Sequence, residues 1–247
     1  MTTLVDSHCH LFDMKNYVLP TDIFPVVVGY SPSSNRKAAE TAKKNGYPFV
    51  IGIAPQTAIR EDLSKFEEWL GFIREQRPNA IGEVGLDYKW AQTKADVEKE
   101  RLVFGKMIAL AREMDLPLVI HSRNNPNQGE EKGEVPKNAI NDILPLVKGM
   151  RFVMHFYSGD AEQAARIVTQ GGYISLTHMR SKEKRKIIDS VPLERLLVES
   201  DAPYVGRTPE VIRDAVAYIA EVKGLDADSV ARQTALNAAK FFGFKIQ

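Results

Sequence analysis

Residues Thr3–His10 read TLVDSHCH, a short apolar run that ends in two histidines one residue apart. The same design, an apolar run closing on a histidine, returns as LVIH at Leu118–His121 and RFVMH at Arg151–His155. Similar runs without a histidine occupy Pro25–Gly29, Phe49–Ile53, Ala80–Val84, Tyr173–Leu176 and Leu196–Glu199. With the opening run trimmed to Thr3–Ser7, these are eight expected strands. Their starts lie roughly 20–40 residues apart, the room that a parallel crossover through a helix needs. Nearly continuous apolar runs such as PVVV suit strands covered on both faces.

Helical periodicity fills much of the space between. Helices are expected at Glu61–Glu75, Ala95–Met114 and Asp160–Gln170, and two more after the last strand, at Glu210–Lys223 and Asp226–Phe242. The reading is an α/β fold: one (β/α)8 TIM barrel with an additional C-terminal helix, a single hydrolase domain over residues 1–247. A doubly wound open sheet is the runner-up, but the glycine-rich first turn it uses for nucleotides is missing. One long polar loop, Ser122–Pro136, follows the fifth strand.

Composition removes other classes. Hydrophobic residues make up 44% of the 247 and charged residues 26%, which excludes a mainly disordered chain. One cysteine, Cys9, excludes an intrachain disulfide framework and a thiolate metal cluster. The net charge of +1 does not suit a globally basic nucleic-acid binder. The opening residues lack the pattern of a signal peptide and no apolar stretch reaches membrane-spanning length, so a cytoplasmic location with no membrane partner is expected.

The five histidines are His8, His10, His121, His155 and His178. All fall at or just past the C-terminal ends of expected strands, where barrel enzymes keep their active sites. Alternation along a strand places Asp6, His8 and His10 on one face, with Ser7 and Cys9 on the other. Cys9 then reads as a small core residue. Glu83 stands inside an otherwise apolar, glycine-rich run, where a carboxylate is costly unless paired or metal-bound. Asp201 follows the eighth strand, two residues after Glu199. Together His8, His10, Glu83, His121, His155 and Asp201 exceed the three protein ligands usual for one catalytic zinc. They suit two divalent metal ions. Glu83 is the candidate bridge, with His8, His10 and Asp201 completing one site and His121 with His155 the other. Imidazole favours zinc, manganese, iron or nickel over magnesium.

The blocks VDSHCHL, GEVGLDY, PLVIHSR, MHFYSGD and LLVESDAPY, in this order, resemble those of the TatD-type metal-dependent deoxyribonucleases, within the amidohydrolase-like barrel superfamily. The likeness runs from residue 4 to about residue 243 and includes the closing ARQTALNAAKFFGF. It implies a barrel, the same six metal ligands, and Asp201 as proton acceptor for the attacking water. It further implies hydrolysis of phosphodiester bonds in DNA, often single-stranded and from the 3′ end. Three stretches depart from the family pattern, one of them the Ser122–Pro136 loop, which is longer than usual. His155-Phe156-Tyr157-Ser158-Gly159 replaces a His-Cys-Phe-Ser-Gly type of block, and the loop after Tyr204, VGRTPEV, is shortened.

Candidate substrate contacts are Arg123, Tyr157, His178, Arg180, Lys184, Arg185, Lys186, Tyr204 and Arg207, with Tyr88, Trp90 and Phe156 as further aromatics near strand ends. Cations would hold phosphates and aromatic faces would stack bases. The run KEKRK also reads as the solvated face of a helix. Two other functions share the ligand set: a hydrolase of amides, lactones or aminoacyl esters, and a non-catalytic metal-binding scaffold.

Overall fold

The computed structural model describes residues 2–125 and 135–246. Eight parallel strands form one sheet in sequential order. They are β1 (Leu4–Cys9), β2 (Ile23–Val28), β3 (Phe49–Ile51), β4 (Ala80–Asp87), β5 (Leu118–Arg123), β6 (Phe152–Met154), β7 (Tyr173–Leu176) and β8 (Leu196–Val198). The helices between them are α1 (Pro32–Asn45), α2 (Pro55–Arg60), α3 (Phe66–Gln76), α4 (Lys94–Glu113), α5 (Ala139–Leu146), α6 (Ala161–Thr169) and α7 (Lys182–Ser190). After β8 come α8 (Ile212–Lys223) and the additional α9 (Ala227–Phe242). The fold is therefore the expected (β/α)8 barrel with a C-terminal helix.

The sheet closes on itself where β1 meets the end of β8. Asp201 N donates to His8 O at 2.9 Å, His10 N donates to Ala202 O at 2.8 Å, and Cys9 and Ala202 form a parallel bridge. Asp6 stitches the same seam, accepting from Ser200 N at 2.9 Å and from the Ser200 hydroxyl at 2.5 Å. Burial pushes its carboxyl up to about 7, against the pull of those Ser200 bonds.

The alternation expected for β1 is corrected here. Asp6 does not share a face with His8 and His10. Ser7 Oγ reaches across β8 to Ser175 Oγ of β7 at 2.9 Å, so Ser7 points into the barrel. Asp6 pairs with Pro25 but Cys9 with Val27, so β1 holds one more residue than β2 over this interval. This bulge resets the phase, and His8 and His10 come to face inward after Val5 and Ser7 have done so.

Other differences are local. The connection from β1 to β2 carries only a 3-10 turn, Leu11–Asp13, in place of an α-helix. The helix expected from Glu61 starts at Phe66, because Asp62 caps a separate 3-10 turn at Leu63–Lys65. Helices α1, α2 and α5 had no expected counterpart. The buried face of α1 is made of small residues, Ala38, Ala39 and Ala42 among them, which carry little periodic signal. Most of the long polar loop expected at Ser122–Pro136 lies outside the described residues.

Apolar residues from successive strands fill the barrel below the histidines: Val5, Val26, Val50, Val119, Val153 and Leu197. The same cluster continues into Ala235, Ala238, Phe241 and Phe242 of α9. Phe241 meets the ring of Tyr173 edge-on at 5.3 Å, and Asn237 Nδ2 donates to Leu193 O and Leu196 O at 2.8 Å each. Helix α9 thus lies against the N-terminal strand ends and seals the barrel at the side opposite the histidines. Phe241→Ala is expected to lower stability by about 3–5 kcal/mol, the usual cost of truncating a buried phenylalanine. Urea unfolding followed by circular dichroism measures this, and a cost below about 1 kcal/mol would show that α9 is no seal.

Candidate metal centre

Five strands deliver side chains to one point at the C-terminal mouth. His8 and His10 come from the β1 end, Glu83 from β4, His121 from β5, His155 from the residue after β6, and Asp201 from the turn after β8. Glu83 sits in a second bulge. Ile81 pairs with Leu118 but Val84 with Ile120, so β4 is one residue longer than β5 there. Close backbone packing around it requires glycine: a Cβ on Gly85, whose φ is +142°, would come within 2.0 Å of His121 O.

The contacts are dense. Glu83 Oε1 lies 2.8 Å from His121 Nδ1 and 3.2 Å from His155 Nε2. Its other oxygen, Oε2, lies 3.8 Å from His8 Nε2. Asp201 Oδ1 is 3.2 Å from His10 Nε2 and 3.8 Å from His8 Nε2. Two groups have donor atoms within 4.8 Å of one another, His8 with His10 and Asp201, and His8 with Glu83 and His155. His8 is fully buried, stacks on His155 at 3.9 Å, and has no hydrogen-bond partner on either ring nitrogen. An imidazole buried with both nitrogens unpaired is costly, and a cation between the two carboxylates would give its Nε2 a partner. The donor set, nitrogen and carboxylate oxygen, fits a divalent transition metal.

A ring of outer groups fixes the imidazoles. His10 Nδ1 lies 2.7 Å from Val28 O. His121 Nε2 is 2.9 Å from Asp87 Oδ2, which also accepts from Gln56 Nε2 at 2.7 Å. His155 Nδ1 is 3.5 Å from Glu199 Oε1, itself held by Phe156 N at 2.5 Å. Carboxylate–imidazole pairs of this type orient metal-binding histidines and raise their basicity. Asp87 and Gln56 were not singled out in the sequence. Asp87 could have been found, because it lies four residues beyond Glu83 in the GEVGLDY block.

Electrostatics divide the imidazoles. Burial and the neighbouring His155 and His10 hold His8 well below the ordinary histidine value. For His121, burial pulls down, but Asp87 and Glu83 outweigh it and push the ring up to about 9. For His155, burial is likewise outweighed by Glu83 and Glu199, which raise it well above the ordinary value. Glu83 is held well below the carboxylate range by His155 and His121 in spite of its burial.

Above these groups opens a cavity of about 620 Å³. Its walls carry Tyr30, Gln56, Arg60, Trp90, Phe156 and Tyr204.

The model of the family described as "TatD related DNase" matches residues 5–243. The chain belongs to the TatD family. It is 30% identical over 239 residues to the uncharacterized metal-dependent hydrolase YabD of Bacillus subtilis, covering 88% of this chain and 86% of that protein. It is 28% identical over 269 residues to Deoxyribonuclease TATDN3 of Homo sapiens, covering 97% and 94%. The fold matches that of a TatD family hydrolase from Entamoeba histolytica with a TM-score of 0.79 at 18% identity, covering 97% and 98%.

In this TatD-family hydrolase the expected substrate contacts are spread over more than one cleft. Among them only Tyr204 lines the cavity, its ring 4.9 Å from His10 and its hydroxyl donating to Asp13 Oδ2 at 2.6 Å. Trp90 and Phe156 line it too, whereas Tyr88 is fully buried and donates to Asp142 Oδ2 at 2.6 Å. Arg123 faces a neighbouring polar cleft with Lys89 and Lys137. Tyr157, Arg180 and Lys184 line a narrower cleft beside α7. Lys184 is no part of a solvated face. It is buried, and its Nζ donates to Thr177 O at 3.2 Å and Thr177 Oγ1 at 3.1 Å. Arg180 and Arg185 both pair with Glu221 of α8, and Lys186 pairs with Glu183. His178 and Arg207 lie outside the cavity lining, and Nδ1 of His178 is buried without a partner.

Two outcomes follow from this geometry. Metal binding requires neutral imidazole, and in the metal-free protein His121 holds its proton up to about pH 9 while Glu83 and Glu199 shift His155 in the same direction. Divalent-metal affinity is therefore expected to rise steadily from pH 6 to about pH 9, as those protons become easier to displace. Competition with a chromophoric chelator across that range measures it, and a flat profile would contradict the assigned charge states. Asp87→Asn, which removes the carboxylate behind His121, is expected to weaken metal binding by about 10–100-fold with the barrel intact. The same competition assay, with circular dichroism as the check on folding, decides this.

Proposed function

We propose that this TatD-family hydrolase is a two-metal phosphodiesterase that removes nucleotides from the 3′ ends of single-stranded DNA in the cytoplasm, working as one domain over residues 1–247. The observation that carries the reading is the disposition of Glu83. Its two oxygens address different imidazoles, Oε1 toward His121 and His155 and Oε2 toward His8, beside His10 and Asp201. That is the arrangement expected of a carboxylate shared between two cations. The family's description as a DNase and the name of the Homo sapiens relative support DNA as the substrate.

His8, His10, Glu83, His121, His155 and Asp201 would hold the ions. When bound, divalent cations make a water nucleophilic at neutral pH and offset charge on the phosphoryl oxygens. The rest falls to the chain. Asp201 lines the cavity, and its backbone N–H is tied to His8 O, so the carboxylate is fixed at the floor where it can take the proton of the attacking water. The water oxygen bonds to phosphorus, the bond from phosphorus to the leaving 3′ oxygen breaks, and that oxygen takes the proton that Asp201 received. Tyr204 and Phe156 give the walls aromatic faces against which a terminal base can lie.

The test joins metal content to hydrolysis of an end-labelled single-stranded oligonucleotide. Metal-loaded protein is expected to shorten the strand from its 3′ end. Asp201→Asn is expected to lose about 10²–10⁴-fold in kcat, the usual contribution of a general base, and more if a metal is lost with it. Cleavage of an aminoacyl ester with the oligonucleotide left whole would replace this reading by the acyl-hydrolase one.

A further inference from the structure

The cavity over the metal-ligand cluster has carboxylates on its floor and a single Lys or Arg side chain among the described residues of its lining, Arg60. Arg60 is the last residue of α2. Its guanidinium lies over the indole of Trp90, 4.5 Å from the ring centroid. Helix α2 starts at Pro55, directly after Ala54 on the cavity wall, and its Gln56 binds Asp87 behind His121. The helix that carries Arg60 is thus anchored to the metal cluster itself. Trp90 is anchored as well, since its backbone N–H donates to Asp87 Oδ1 at 3.0 Å.

A basic residue in the last turn of a helix also complements the helix dipole. That role needs only a positive charge and sets no direction. Stacking does more. A guanidinium laid on an aromatic face keeps its plane fixed and its edge N–H groups free. Those edges form the fork that takes two oxygens of a phosphate. Glu61 follows on the same wall, but no ion pair ties it to Arg60. Four of the cations expected for this task are engaged elsewhere, Arg180 and Arg185 with Glu221, Lys186 with Glu183, and Lys184 with Thr177, and the other two, Arg123 and Arg207, do not line this cavity.

We propose that Arg60, shelved on Trp90, binds a substrate phosphate other than the one under attack, and so makes this site selective for esters that carry a second phosphate, as a polynucleotide does. The proposal rests on the phosphodiesterase reading above and adds to it the group that holds the strand next to the reacting linkage. Arg60 is a positioning residue. It acts on a phosphate one or more linkages away from the metal cluster, and Trp90 acts through it.

The experiment is a chemical double-mutant cycle on the metal-loaded full chain. Short oligothymidylates are prepared with one neutral methylphosphonate linkage, moved stepwise away from the scissile 3′ linkage. For wild type, one such replacement is expected to raise KM about tenfold, the worth of a charge-assisted hydrogen bond, with far less change in kcat. Arg60→Met is expected to raise KM for the all-phosphate strand by a similar factor and to be insensitive to the methylphosphonate at that linkage. Arg60→Lys keeps the charge but not the fork, and is expected to fall between. Additive losses from Arg60→Met and the methylphosphonate at every linkage would overturn the proposal, as would equal losses in kcat and KM for all strands. Either result leaves the nuclease reading standing if wild type cleaves the all-phosphate strand. Wild type that cleaves no strand at any linkage overturns both.

Discussion

The structure depends on holding one carboxylate, Glu83, near the axis of a barrel among imidazoles. The residue is buried, and its carboxyl is kept ionised by His155 and His121 in spite of that burial. A charge in such a place is tolerable only where compensating groups are fixed around it. Much of the local architecture can be read as that fixing. The bulge in β4 delivers Glu83 between its neighbours, and Gly85 lets the backbone of β4 come against His121. Behind the imidazoles stand Asp87 and Glu199, each locked by backbone or amide donors. The lower half of the barrel is filled with apolar side chains and sealed by α9, which keeps water to the mouth.

How much of this was readable in the sequence follows from what local pattern encodes. A strand that ends in histidine is visible, because the apolar run and its terminal residue are contiguous. All eight strands were therefore placed within a few residues. A bulge is not visible, because it is a mismatch in length between two paired strands. Strict alternation put Asp6 with His8 and His10, whereas the bulge between Asp6 and Cys9 turns Asp6 to Ser200 and the seam. The candidate ligands survive that error, since His8 and His10 keep their own alternation. Helix α1 escaped because its buried face is built on alanines beneath a lysine-rich surface.

The basic cluster after β7 shows the opposite limit. A run of cations reveals charge, but not which face of the helix packs. In α7 the buried face carries Lys184 together with Ile187 and Ile188, and the arginines turn to Glu221 on α8. Those exposed pairs contribute little to stability. Their effect is to leave Arg180 and Arg185 occupied. Arg60 carried no comparable signal, being one arginine in a short helix. Its position over Trp90 joins residues from different βα loops and becomes evident only in three dimensions.

The seam between β1 and β8 ties these points together. His8 and His10 lie on one side of it and Asp201 on the other, and the bond from Asp201 N to His8 O runs across it. One of the two groups able to hold a metal is made of these three residues. A cation there would bridge the first and last strands, the pair that closes the barrel. Ligands from five strands cannot meet in an unfolded chain, so a metal would bind the closed barrel and stabilise it by mass action. At a hundred times its dissociation constant that amounts to about 2.7 kcal/mol, a substantial part of the stability of an ordinary domain. Asp6 and Ser200 make the neighbouring part of the same seam without any metal. Closure therefore rests on a polar joint built into the chain, and a metal at His8, His10 and Asp201 would be a second fastening a few residues further along. The division has a chemical use, because the ligands are held near one another by the fold before any ion arrives, so the fold sets their geometry.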